Sequence, residues 1–411
     1  MNHHNLSSAA PGLGTMGMAV DISGLNIKPT LRRLAALLWR SDLRFARVGW
    51  QRIALVIAAL AALALWLLPQ TVVSDPLSLL QSDSVRIFYM IDDLSLSQLS
   101  SSFAHVLVAI AIGRAVFVIL IGLLDMLFYK RVTGRPFDWE SMINISLVNA
   151  FLIFAGLFLL ANDGLRQLLV HYDRLLANVP TLVDLNGAVA LVTAALIGDF
   201  CFYWSHRLCH GNRFFWNLGH IHHHRNRSLT QLTCAIEPPL MLLQAAGGLS
   251  LLLLPLLSKL FTTDIHGAGI ALVVLMLVDT WTDPSHSTVM YALESKSRVL
   301  KSLRRVFVTV GVHFTHHSRE VEGRYGTGCN FGARLTLWDR VFGTYAEPGD
   351  TIPETGLFDP KADLCVNPLR YLLRPYLRMG LELRRNHLKH WPRILFGSVG
   401  YEPPNPVLMS H

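Results

Sequence analysis

Charge is scarce in this sequence. Asp, Glu, Lys and Arg make up 16% of 411 residues against 52% hydrophobic ones, where ordinary soluble domains carry about a quarter charged. That shortage points away from a soluble domain and toward a membrane protein. Paired cysteines are missing as well. Cys201, Cys209, Cys234, Cys329 and Cys365 form no C-x-x-C pair and no regular spacing, which leaves neither a disulfide framework nor a zinc ribbon; they read as reduced thiols. The first 27 residues lack the basic-then-apolar order of a signal peptide and read as a disordered Ser/Gly/Ala-rich tail. No H-E-x-x-H occurs, which removes the usual zinc-protease arrangement. No E-x-x-H lies near the histidine clusters, which removes the carboxylate di-iron helix bundle. Flavin and nicotinamide fingerprints and a C-x-x-C-H haem site are also absent.

What the chain does have is apolar runs, at 53–68, 103–124, 143–161, 187–204, 240–257 and 265–281. A spanning helix needs about 20 apolar residues, so the reading is six spans, or four with 240–281 as a shallow re-entrant pair. Arg114 interrupts the second run and is expected to face other helices or to snorkel. The net charge of +8 reads as topology-setting and headgroup-facing Lys and Arg, with no nucleic-acid partner. The segment 28–52 carries Lys28, Arg32, Arg33, Arg40, Arg44, Arg47 and Arg52 against Asp42, the loop 69–102 is acidic, and "YKRVTGR" at 129–135 is basic again. Positive-inside logic places the N-terminus, the 129–142 loop and the residues after 204 in the cytoplasm. The expected fold is all-α: a polytopic membrane helix bundle of four to six spans with a cytosolic helical cap. The expected division is a tail and basic juxtamembrane segment at 1–50, membrane helices at 51–195, a histidine-bearing domain at 196–345 and a cytosolic C-terminal tail at 346–411.

Three histidine clusters stand on one expected side of that membrane. "HRLCH" puts His206 and His210 four residues apart, on one helical face. "HIHHH" carries His220, His222, His223 and His224, and "HFTHH" carries His313, His316 and His317. The last two share the spacing H-x-x-H-H, whose i, i+3 and i+4 positions are expected on one face. His222 is then the surplus histidine, turned about 200° from His220. Eight imidazoles meeting without metal would all have to stay neutral, and neutral imidazole is a good donor to zinc and iron. They exceed what one tetrahedral zinc uses, so two metals sharing the ligands is the economical reading. Asp199, seven residues before His206, is placed to accept a ring N–H from a ligand.

These stretches carry a family resemblance. "GDFCFYWSHRLCH", "FWNLGHIHHH", "PSHSTV", "VFVTVGVHFTHHS" and "NFGARLTLWDRVFGTY" resemble the fatty acid hydroxylase / sterol desaturase superfamily, over roughly 196–345. The resemblance implies a histidine-rich di-iron centre and adds His286, in "PSHSTV", as a ninth ligand. It also reads Trp338, Asp339, Arg340, Gly343 and Thr344 as a structural motif that packs the last box against the cap. The chain departs from the family at "CAIEPP", 234–239, and at an insertion-like "GRYGTGC" before "NFG"; both departures are expected to reshape the substrate mouth and leave the metal centre alone.

Such a centre implies an O2-dependent oxidoreductase that hydroxylates or desaturates a C–H bond of a lipid held in the bilayer. Its electrons are expected from a ferredoxin or cytochrome b5-like carrier with its reductase, attracted by Lys296, Arg298, Lys301, Arg304 and Arg305 unless these meet lipid headgroups. The alternatives are a histidine-rich divalent-metal transporter or a metal-dependent lipid hydrolase. A transporter wants ionisable groups mid-span, whereas these histidines follow the spans.

Overall fold

The computed structural model describes residues 101–139, 142, 171–172, 174–185, 187–231, 253–263, 284–320, 328–357 and 368–407. Among them every regular element is helical, and β pairing is limited to the isolated bridges Phe307–Leu335 and Ser318–Thr355. The apolar runs at 53–68, 143–161 and 265–281, and most of 240–257, lie outside the described residues.

The longest element is α1, Ser101–Thr133. Its end is locally encoded: Lys130 and Arg131 suit the negative end of the helix dipole. Gly134 then takes φ +73° while its N–H donates to the Lys130 carbonyl, closing the last turn. α2, Gly187–Gly211, begins in Ala, Val and Leu and ends in "YWSHRLCHG". Polar residues enter both helices, Asp125 in α1 and Asp199 and Arg207 in α2. Among the described residues no helix is long and apolar enough to cross a membrane. Among the described residues the all-α expectation holds, and the expected spans are not found in these helices.

A second coil runs through α3 (Arg213–Phe215), a π-helical turn (Trp216–His220) and α4 (Ile221–His224). Asn212 starts it by accepting the N–H groups of Phe214 and Phe215 at 3.0 and 3.3 Å, the standard N-cap solution for donors without a helical partner. Three short helices follow: α5 (Thr288–Lys296), α6 (Arg298–Leu303) and α7 (Val310–His316). Glu294 of α5 closes the start of α7 from outside. Its carboxylate accepts from Gly311 N at 2.9 Å and Thr309 Oγ1 at 2.8 Å, and pairs with the buried Arg304 at 2.6 Å. Only glycine fits at 311, because a Cβ there would lie 2.6 Å from Glu294 Oε1.

α8 (Leu337–Val341) follows α7 among the described residues. α9 (Pro368–Arg385) and α10 (Trp391–Phe396) fold back onto the second coil. Glu382, fully buried, pairs with Arg213 at 2.6 Å, and Phe396 and Gly397 accept from Asn212 Nδ2 and Arg213 N. Trp216, Ile221 and Leu357 form the small apolar core beneath, with Val399 against it.

Candidate metal centre

The C-terminal end of α2 presents His206 and His210 one turn apart. The second coil presents His220 at the end of its wide turn and His223 and His224 in α4, and α7 with the residue that caps it brings His313, His316 and His317. His286 comes from the loop before α5. The structure gathers all nine, in two groups. His206, His210, His220, His224 and His316 form one, and His223, His286, His313 and His317 the other, with ligand atoms in each group within 4.8 Å of one another.

The nitrogens converge as donors to one ion would. In the first group His220 Nε2 lies 3.1 Å from His206 Nε2 and 2.9 Å from His210 Nε2, and His316 Nε2 lies 3.1 Å from His224 Nε2. In the second, His313 Nε2 lies 2.8 Å from His286 Nε2 and 3.1 Å from His317 Nε2. Two nitrogens each about 2.1 Å from one ion, at right angles, sit about 3.0 Å apart. The spacing of both groups fits a metal.

The two H-x-x-H-H boxes do not work as single faces, as their spacing suggests. Each straddles both groups. His220 and His224, the i and i+4 positions of their box, enter the first group, while the i+3 residue His223 enters the second. In the other box the assignment is reversed: His313 and His317 enter the second group and His316 the first. Adjacent residues on a helix point about 100° apart, so neighbours such as His223 and His224 can serve two centres when both centres lie alongside the helix. His222 joins neither group. It is nonetheless buried, 6% exposed, so the surplus histidine is a packed interior residue.

Two backbone carbonyls orient the first group. His206 Nδ1 donates to Phe331 O at 2.9 Å and His316 Nδ1 to Cys329 O at 2.8 Å. A carbonyl only accepts, so each Nδ1 carries the proton and each Nε2 faces its neighbours with a lone pair. Asp339 holds that carbonyl-bearing loop: its carboxylate accepts Phe331 N at 2.8 Å, Gly332 N at 2.9 Å and Thr344 Oγ1 at 2.7 Å. Asn330, at φ 54°, ties the same loop to Val312 O and Ala346 O. The Trp338–Thr344 motif is thus structural, and it acts on ligand orientation. Tyr203 of α2 stacks on its Phe342 and shares a hydrogen bond with Thr344 Oγ1.

Three expectations need correction. Asp199 accepts no ligand N–H; its carboxylate takes Arg334 N at 2.9 Å and Leu335 N at 3.3 Å. Backbone carbonyls do the orienting, and Asp199 steadies the loop that follows them. The "GRYGTGC" stretch does reach the metal groups: Cys329 supplies one of the carbonyls, and a Cβ on Gly328 would lie 3.3 Å from His210 Nδ1. Residues 321–327 and 234–239 lie outside the described residues. Arg304 is lost to the basic patch because it is buried against Glu294, and Lys301 pairs with Asp350 at 2.6 Å, which leaves Lys296, Arg298 and Arg305 exposed.

Burial, reinforced by neighbouring imidazoles, holds His210, His220, His224, His313, His316 and His317 well below the ordinary histidine value of 6.5. They are neutral near pH 7, the form that ligates metal. Sequence reasoning did not find Arg213, Glu294 or Glu382, single charged residues in no motif, because their importance lies in pairings across 169 residues or between short helices.

The family model described as fatty acid hydroxylase matches residues 191–344. That range contains all nine histidines and the closing motif. No curated protein and no solved structure matches the chain.

Proposed function

With residues 191–344 forming a fatty acid hydroxylase domain, we propose that the protein is a membrane-bound, O2-dependent di-iron oxidoreductase that hydroxylates or desaturates a C–H bond of a lipid, such as a sterol or fatty acyl chain. The observation that carries this reading is the pair of histidine groups, five and four, inside that domain. His206, His210, His220, His224 and His316 would hold one iron, and His223, His286, His313 and His317 the other. Five nitrogen donors exceed the four of a tetrahedral zinc site, which favours a metal of higher coordination number. Bound there, two iron ions supply the activation of dioxygen for attack on an unactivated C–H bond.

The chain's own part is to hold the imidazoles neutral and aimed, and to keep water out. Burial does the first, the Cys329 and Phe331 carbonyls the second. Trp216 and Phe331, with ring centres 5.1 and 5.2 Å from that of His210, wall the first group. Among the described residues no carboxylate joins either group, which counts against a hydrolase needing a water-activating acid.

A lipid substrate is supported by apolar side chains that face outward. On α1 Val116, Ile119, Leu120, Leu123, Leu124 and Leu127 are all exposed, Leu127 at 77%, and a contiguous outward apolar patch of this kind marks a membrane or partner contact. Together with the basic segments at 28–52 and 129–135 they support a multi-pass membrane protein whose metal centre lies on the cytoplasmic side. Electrons would come from a ferredoxin or cytochrome b5-like carrier and its reductase, docking near Lys296, Arg298 and Arg305.

The test is lipid profiling of aerated cells that express wild type or His223→Ala. A lipid that gains oxygen or loses two hydrogens only with wild type supports the reading. Identical profiles, or purified protein with one zinc and no iron, overturn it.

A further inference from the structure

Asp125 lies on α1, outside the residues matched by the hydroxylase family, and is fully buried. Its carboxylate makes four bonds, three of them to consecutive residues. Oδ1 accepts from Ser287 Oγ at 2.7 Å, Thr288 Oγ1 at 3.3 Å and Val289 N at 3.0 Å. Oδ2 accepts from Gln231 N at 3.0 Å. Gln231 in turn accepts the backbone N–H of His286 on its Oε1, at 3.1 Å. Both strands of this contact meet at His286: the residue after it is gripped directly by Asp125, and its own N–H is gripped by the side chain whose backbone Asp125 holds.

This matters because His286 has the weakest local support of the nine. The other eight sit on or at the ends of helices, whereas His286 precedes α5 in a loop, and its Nδ1 is 3.2 Å from the Oγ of its own neighbour, Ser285. Asp125 also places a carboxylate at the first turn of α5, where N–H groups lack helical partners and negative charge is favoured. Four residues on, and so on the same face of α1, Tyr129 OH donates to Arg227 O. That face of α1 therefore meets the turn before α5 through Asp125 and the loop after α4 through Tyr129.

We infer that Asp125 is a positioning residue for the four-histidine site, holding His286 in place through the Ser287–Val289 turn and Gln231. The inference rests on reading the two histidine groups as metal sites. Through this contact, the placement of α1 is coupled to one metal and not to the other.

The test uses the full chain, loaded anaerobically with iron or cobalt(II), and reads metal per chain and the affinity of each site by chelator competition. Wild type should hold two metals. Asp125→Asn should keep the first and bind the second about 10–100-fold more weakly, the usual effect of removing a partner that orients a metal ligand, with cobalt bands changing for one site only. Asp184→Asn, the same change at an exposed position far from the histidines, serves as control. If Asp125→Asn does not fold, Gln231→Met removes the acceptor for His286 N–H, keeps the backbone N–H that Asp125 accepts, and should give the same selective loss. Two metals at wild-type affinity in either folded variant, or equal weakening of both sites, overturn the inference. Wild type holding fewer than two metals fails the underlying two-site reading instead.

Discussion

The five-histidine and four-histidine groups are built from the same boxes by different means. All five members of the first are buried, whereas in the second only His317 is; His223, His286 and His313 are partly open. The first draws its ligands from helices, and two of them are oriented by carbonyls of one loop that Asp339 and Asn330 clamp. The second includes a loop histidine steadied from α1. The contrast teaches that equal ligand spacing does not make equal sites: two ligands of one are aimed by carbonyls of a nearby loop, and one ligand of the other is steadied from α1.

The sharpest way to probe the contrast is to change neighbours. His224→Ala should remove the metal of the first group and His223→Ala that of the second, each with loss of all turnover, although the two residues are adjacent. Site-resolved metal analysis checks it; loss of the same metal in both variants would show that the boxes do not straddle two centres.

Acid comes next in size. The six histidines held below 6.5 stay neutral in the folded protein while the unfolded chain takes up protons. The unfolded state therefore binds more protons as pH falls through 6.5, and stability of the metal-free protein drops until the folded histidines themselves protonate. Four of the six belong to the first group, so it should carry most of that loss. Denaturant titration across pH measures it; stability unchanged between about pH 7 and 5 would contradict it.

Glu382→Gln strikes the clamp on the second coil. It leaves the Arg213 guanidinium, 4% exposed, without its carboxylate, a loss of about 3–5 kcal/mol. Thermal unfolding should register it, and weakened metal binding should follow at the first group, which takes two ligands from that coil.

The smallest effect expected is that of His222→Ala. It should retain both metals and lower stability by about 1 kcal/mol, because a buried side chain is removed from packing. Loss of either metal would return His222 to the ligand set.

Much of this site can be read along the chain. The i, i+4 spacing of His206 and His210 survives folding because both lie on one continuous helix, where sequence distance sets direction. The exclusion of His222 was legible for the same reason. His286 was visible only through family resemblance, since a loop histidine has no periodicity to announce it. The split of each H-x-x-H-H box was not legible, because it depends on where two other helices cross the box. Asp199 was misread as an acceptor for a ligand ring: its place on the correct face says nothing about which N–H groups a distant loop would bring to it.

Composition and local spacing alone determined that this chain is helical, apolar and rich in histidines set for metal, because those properties depend on residue type and on contacts within a few turns. Only the tertiary structure decided which histidines gather in each group, which carbonyls orient them, that Arg304 is internal, and that Asp125 holds the turn after His286. Those outcomes depend on buried polar groups finding partners outside their own helix, 10 residues away for Arg304 and 125 for His206, and such pairing leaves no local pattern to read.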